Sequence, residues 1–254
     1  MIPLKDYNPT RRVAYVTFLL IAANVLVYFL VQPQGWSAAD PRSTDVRKAE
    51  FTYEYAAVPC EVLHDRPLNA ADVQSGCDAD PEEPAAYPKK SVYLAVVYSM
   101  FLHGSLLHIG GNMLFLWVFG NNIEDILGPF AYLLFYLLAG LVAAAAHIAV
   151  QPNSTVPIVG ASGAIAGVMG AYMVVFPNVR IRSLIFLGFF VFFRDLQAKW
   201  LLGFWFVLQF FTAPGSGVAW MAHVGGFVFG LVVGLFLRNR ARPARLAAST
   251  WSPG

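Results

Sequence analysis

Three runs, Val13 to Val31, Phe130 to Val150 and Ala219 to Leu237, contain no Asp, Glu, Lys or Arg. Each supplies the roughly 20 apolar residues that cross a hydrocarbon layer about 30 Å thick. A chain carrying such segments has to satisfy its backbone polar groups internally, which restricts it to helices or a closed barrel. Three further segments, Leu106 to Phe119, Ser162 to Phe176 and Leu196 to Phe211, are apolar but carry polar groups. Six helices are therefore expected, in an all-α integral membrane protein. Composition agrees: charged residues make up 13% of the 254 and hydrophobic ones 57%, whereas soluble domains run near 25% charged. The same figures exclude disordered, coiled-coil and collagenous chains.

Charge placement sets the orientation. Residues 33 to 91 hold six basic and eleven acidic side chains, against eleven and four in the rest. Basic clusters flank the apolar runs: Lys5, Arg11 and Arg12 before the first, Arg180, Arg182, Arg194 and Lys199 between the fourth and fifth, and Arg238, Arg240, Arg242 and Arg245 after the sixth. With six spans all three clusters fall on the cytoplasmic side, as the positive-inside rule asks. Residues 1–12 then form a cytoplasmic tail, 13–237 the six-span core, and 238–254 a basic cytoplasmic tail. The acidic segment 33–91 is external and reads as a loop, broken by Pro41, Pro59, Pro67, Pro81, Pro84 and Pro88, with an amphipathic stretch from Phe51 to Pro59. The apolar run Leu184 to Phe193 is too short to span and reads as interfacial or as a cytoplasmic hairpin. Val13 to Val31 is longer than a signal-peptide core and no small-residue cleavage site follows it, so it is expected to stay as an anchor. The basic residues form no stripe of the kind nucleic acids select.

Polar groups within hydrocarbon are costly and mark function or helix contacts. Thr17 and Asn24 suit helix contacts, and His147 a packing or interfacial place. His108 and Asn112, four apart, share one helix face, with His103 upstream. Ser162 opens the fourth apolar segment after Pro157 and Gly160, where a helix start presents unsatisfied N–H groups and partial positive charge. Gly226, Gly230 and Gly234 make a thin face on the sixth segment, with His223 on it, and Gly163, Gly167 and Gly170 thin the fourth. If the two faces meet, Ser162 and His223 form a nucleophile–base pair, and His108 and Asn112 can serve as oxyanion donors. No carboxylate lies within the six segments, which excludes an aspartyl dyad, and the zinc-protease pattern H-E-x-x-H is absent. Cys60 and Cys77, the only cysteines, lie in the external segment. Outside the cytoplasm such a pair can oxidise, closing a loop worth about 3 kcal/mol in the chain-entropy model; two free thiols are the alternative.

His108-x-x-x-Asn112, Gly160-Ala-Ser162-Gly163 and Ala222-His223-x-Gly225-Gly226, in that order, resemble the rhomboid family of intramembrane serine proteases over roughly residues 10 to 237. The resemblance implies a six-helix bundle with Ser162 as nucleophile, His223 as base and no third carboxylate. It implies an oxyanion hole from His108, Asn112 and the Ser162 N–H, with His103, Glu124, Gly160, Gly163 and Gly226 in support. It implies no cofactor or metal, and transmembrane proteins within the bilayer as substrates. The chain departs from some relatives in lacking a Trp-Arg pair in its first external loop. It also has Ala166 where they place a tyrosine against the base, and its long loop carries cysteines. A non-catalytic binder of membrane clients is the alternative; a solute carrier fits less well, since neither charged spans nor repeats are visible. The short chain, with no transit peptide, suggests a bacterial plasma membrane.

Overall fold

The fold comes from a computed structural model and covers residues 1–33, 41–77, 83–212 and 219–249, with the side chains of 41–44 and 240–249 left undescribed. Strand β1 (Ile2–Asp6) leads into α1 (Tyr15–Leu26), which widens into a π-helical turn over Val27–Val31. The 33–91 segment holds α2 (Pro41–Tyr55), α3 (Pro59–His64) and α4 (Ala70–Ser75), and α5 (Val92–Ser99) follows it. Then come α6 (Leu106–Leu127), α7 (Pro129–Val150) and α8 (Ser162–Val175), a hairpin of β2 (Arg180–Leu187) and β3 (Phe190–Gln197), α9 (Ala198–Gln209) and α10 (Trp220–Ser249). All six apolar segments are helical. Two of them, Pro129–Val150 and Trp220–Asn239, have both the length and the mean hydropathy, 2.3 and 1.9, to cross a membrane.

Helix α8 is the centre of the bundle. Eleven of its fourteen residues are buried, and it lies between α7 and α10 through small side chains. A methyl group at Gly226 or Gly230 would overlap the carbonyl oxygens of Gly163 and Gly167, and one at Gly170 would overlap that of Phe227. Gly163 and Gly167 also face Ala143 and Ala139 of α7. The two glycine faces thus meet, at backbone-to-backbone distance. The surface is the reverse of a soluble protein's. Leu19, Leu30, Phe130 and Phe236 point outward at 67, 76, 82 and 77% exposure, while Asn24, His147 and Gln209 are buried.

Sequence expectation and structure part in fold class. The chain is mostly helical but not all-α: β1, β2 and β3 form an antiparallel sheet in that order. The run around Leu184 to Phe193 takes the second of its two expected forms, a hairpin, here of β2 and β3, pairing from Arg180 with Gln197 to Leu187 with Phe190. Its two-residue turn places Gly188 at φ 59°, the positive φ that tight hairpins need. Residues 2–6, within the expected N-terminal tail, form a strand, and helix α10 runs on through the expected basic tail to Ser249. The side chains of Arg240, Arg242 and Arg245 lie outside the described residues.

The 33–91 segment is also more than a loop. Cys60 and Cys77 are bridged, with Cα atoms 5.8 Å apart, over a small core with Val58 and Leu68. Lys90 pairs with Glu61 at 2.5 Å, both side chains almost wholly buried, and Arg66 grips Asp72 at 2.6 and 2.9 Å. Asn69 and Asp72 cap α4 reciprocally. Prolines do not prevent this, because Pro59 sits in the first turn of α3, where its missing N–H costs nothing. Residues 34–40 and 78–82 of the segment, Pro81 among them, lie outside the described residues.

Candidate active site

The loop before α8 is held by hydrogen bonds to other elements. Ile158 N–H donates to Ala57 C=O at 2.8 Å, Cys60 N–H to Ser154 C=O at 3.1 Å, and Gly160 N–H to Ser99 C=O at 2.9 Å. Ser99 Oγ in turn accepts from Ala57 N–H at 2.7 Å. The 33–91 segment and α5 therefore set the position from which α8 starts. Gly160 takes φ 119°, a conformation that favours glycine. A Cβ there would lie 2.8 Å from His108 Nε2 and 3.5 Å from Asn112 Nδ2. The missing side chain makes room for those two groups beside Ser162.

Ser162 is the first residue of α8, so its own N–H has no acceptor within the helix. His223, in the first turn of α10, places Nε2 2.8 Å from Ser162 Oγ. On its other side His223 Nδ1 lies 2.7 Å from Gln209 Oε1, and the Trp205 ring is 5.7 Å from the imidazole. Both partners come from α9. Ala166 of α8 carries only a methyl group. Neither partner was apparent in the sequence, although Gln209 is the one amide between Trp200 and Phe211.

Helix α6 supplies the opposite wall. Ser105 caps it by accepting from His108 N–H at 3.1 Å. Gly104 N–H donates to His108 Nδ1 at 3.4 Å, so the neutral ring carries its proton on Nε2, the atom facing Gly160. Asn112, one turn on, is buried, and its Nδ2 has no partner among the described protein groups. A buried donor left unpaired costs stability unless something is meant to bind it. Ser162, His223, His108 and Asn112 all line one cavity of about 480 Å³, with Trp205 and Met169 on its walls.

The remaining expected residues fall behind this front. His103 is buried and meets His108 edge-on at 5.1 Å, its backbone clamped by Gln32 through bonds of 2.9 and 3.1 Å. It does not reach Ser162 or His223. Gly163 and Gly226 act by packing α8 against α10. Glu124 accepts from the backbone N–H groups of Val16 and Thr17, at 2.9 and 2.8 Å, and from Thr17 Oγ at 2.7 Å. It caps α1 from a neighbouring helix, where a carboxylate suits the positive helix start.

A serine and an imidazole in hydrogen-bond contact, facing two amide or imidazole donors across one cavity, is the constellation of acyl transfer. The chain matches the family described as "Rhomboid domain" over residues 90–240. It is 28% identical over 174 residues to "Rhomboid protein 1, mitochondrial" of Saccharomyces cerevisiae, covering 62% of this chain and 47% of that protein. It is 32% identical over 143 residues to the human "Presenilin-associated rhomboid-like protein, mitochondrial", covering 54% of this chain and 36% of that one. A shorter match, 39% over 74 residues, reaches "Rhomboid protease GluP" of Bacillus subtilis, covering 29% of this chain and 14% of that protein. The chain belongs to the rhomboid family and is a helical integral membrane protein. Its matches span less than half the length of these curated relatives. Mitochondrial names among them argue against tying the chain to a bacterial plasma membrane.

Proposed function

We propose that the chain is an intramembrane serine endopeptidase that cuts the transmembrane helices of other proteins near the external face. The observation that carries this reading is the 2.8 Å contact between Ser162 Oγ and His223 Nε2 inside the cavity bounded by His108 and Asn112. His223 Nε2 takes the Ser162 proton as Oγ attacks the scissile carbonyl carbon. The charge that develops on the carbonyl oxygen is met by the Ser162 N–H, His108 Nε2–H and Asn112 Nδ2. Collapse breaks the C–N bond, and His223 returns its proton to the leaving amine. Water, deprotonated by the same nitrogen, then hydrolyses the acyl-serine.

In this reading α1 with its π turn and α6 to α10 are the six spans. Both termini and the sheet are cytoplasmic, and residues 33–91 are external. Fourteen residues raise α8 only about 21 Å, less than the roughly 30 Å hydrocarbon thickness. Its start can therefore sit below the external surface, open to water from that side. A substrate helix has to unwind there to expose a peptide bond, so Gly or Pro in the outer half of its span favours cleavage. A non-catalytic binder of membrane clients would have no use for the Ser162–His223 alignment.

The test is cleavage of a reporter transmembrane substrate in liposomes. Ser162→Ala and His223→Ala are each expected to abolish cleavage with thermal unfolding unchanged. The double variant should lose little more than either single one, because the pair acts as a unit. Cleavage by Ser162→Ala protein would overturn the assignment.

A further inference from the structure

We infer that Gln209 is a positioning residue that fixes the tautomer of His223, an inference that rests on the dyad reading above. The amide's orientation follows from its neighbours. Gln209 Nε2 donates to the Trp205 C=O at 2.9 Å, and a carbonyl can only accept. The nitrogen end must point there, which turns Oε1 towards His223 Nδ1 at 2.7 Å. An amide oxygen is only an acceptor, so Nδ1 carries the proton. Neutral imidazole holds one N–H, and Nε2, 2.8 Å from Ser162 Oγ, is left with the lone pair that a general base needs.

Gln209 is buried, which shields this bond from water. Serine proteases with a buried aspartate use the same logic: the third group selects the tautomer and orientation of the base without taking its proton. Here a neutral amide does so, in a span without carboxylates. The choice suits the setting, because an unpaired charge buried beside the base would be costly to desolvate. Trp205 contributes twice, through its carbonyl to the amide and through its ring beside the imidazole.

The experiment has two readouts. The ¹⁵N signals of His223, identified by their loss in His223→Ala, report the tautomer without any substrate. Steady-state cleavage reports kcat and KM. The expected results are an Nδ1–H tautomer in the wild type, and in Gln209→Met a mixed tautomer with kcat roughly tenfold lower and KM unchanged, the scale of one lost neutral hydrogen bond. Gln209→Glu keeps an acceptor at the same place and should hold the Nδ1–H form and recover most of the lost rate. An Nε2–H tautomer in the wild type, or wild-type kcat in Gln209→Met, would overturn the inference. If Gln209→Met fails to fold, the wild-type tautomer and the Gln209→Glu rate decide. Failure of the dyad reading shows separately, as a wild type whose cleavage does not depend on Ser162.

Discussion

Among the described residues facing Ser162, Asn112 has the one buried amide nitrogen that the protein itself does not pair. Its work is expected to fall in the transition state. Asn112→Ala should lower kcat roughly 10²-fold, the range for a lost oxyanion donor, with KM little changed. A raised KM at unchanged kcat would mean that it merely binds substrate. At this scale the sequence was informative where a residue's role depends on its own chain neighbours. His108 and Asn112 share a face by their spacing of four, and Ser162 sits at a helix start because Pro157 and Gly160 precede it. Gln209 and Trp205 were hidden because their role depends on how α9 is rotated against α10. Nothing local specifies that rotation.

The helices themselves were written in uncharged length and in the glycine repeat every four residues, which forced α8 and α10 together. The sheet was not. The run Leu184 to Phe193 is apolar on both sides, so it shows neither the alternation of a half-buried strand nor a helical period. Strand β1 was hidden for another reason, since its pairing with β2 joins residues nearly 180 positions apart. What ties β1 down is Asp6, which accepts from Tyr172 Oη at 2.9 Å and Asn122 Nδ2 at 2.6 Å. Asn8 adds a bond to Asn122. Burial holds the Asp6 carboxyl up at about 6, against those hydrogen bonds, which favour the charged form. Between its unfolded value near 4 and 6, the folded state keeps a proton that the unfolded chain has released. Stability from this group therefore falls as pH rises through that window and levels off above it. Melting temperature should drop from pH 4 to 6 more steeply in the wild type than in Asp6→Asn. An identical slope in both would remove Asp6 from the pH response.

Over the whole molecule, the exposed leucines and phenylalanines and the buried amides describe a chain folded for an apolar solvent. The 33–91 segment was the least legible large feature. Its acidic, proline-rich composition matches a loop, yet a disulfide and a buried Lys90–Glu61 pair order it. Those features depend on contacts that composition does not encode. Because that segment also steadies the loop before Ser162, its side of the membrane fixes the side of the chemistry. Reporter fusions at residue 85 and after residue 245 are expected on opposite sides; the same side for both would break the six-span topology.

The most direct measurement is labelling of the intact protein in its membrane with a fluorophosphonate, followed by peptide mapping of the adduct. Such a probe reacts with a serine whose hydroxyl a neighbouring base has activated. Modification confined to Ser162, lost in Ser162→Ala and strongly reduced in His223→Ala, is the expected result. No adduct on Ser162 in a folded protein, or labelling that survives His223→Ala undiminished, would contradict the claim that these two residues form a working nucleophile and base.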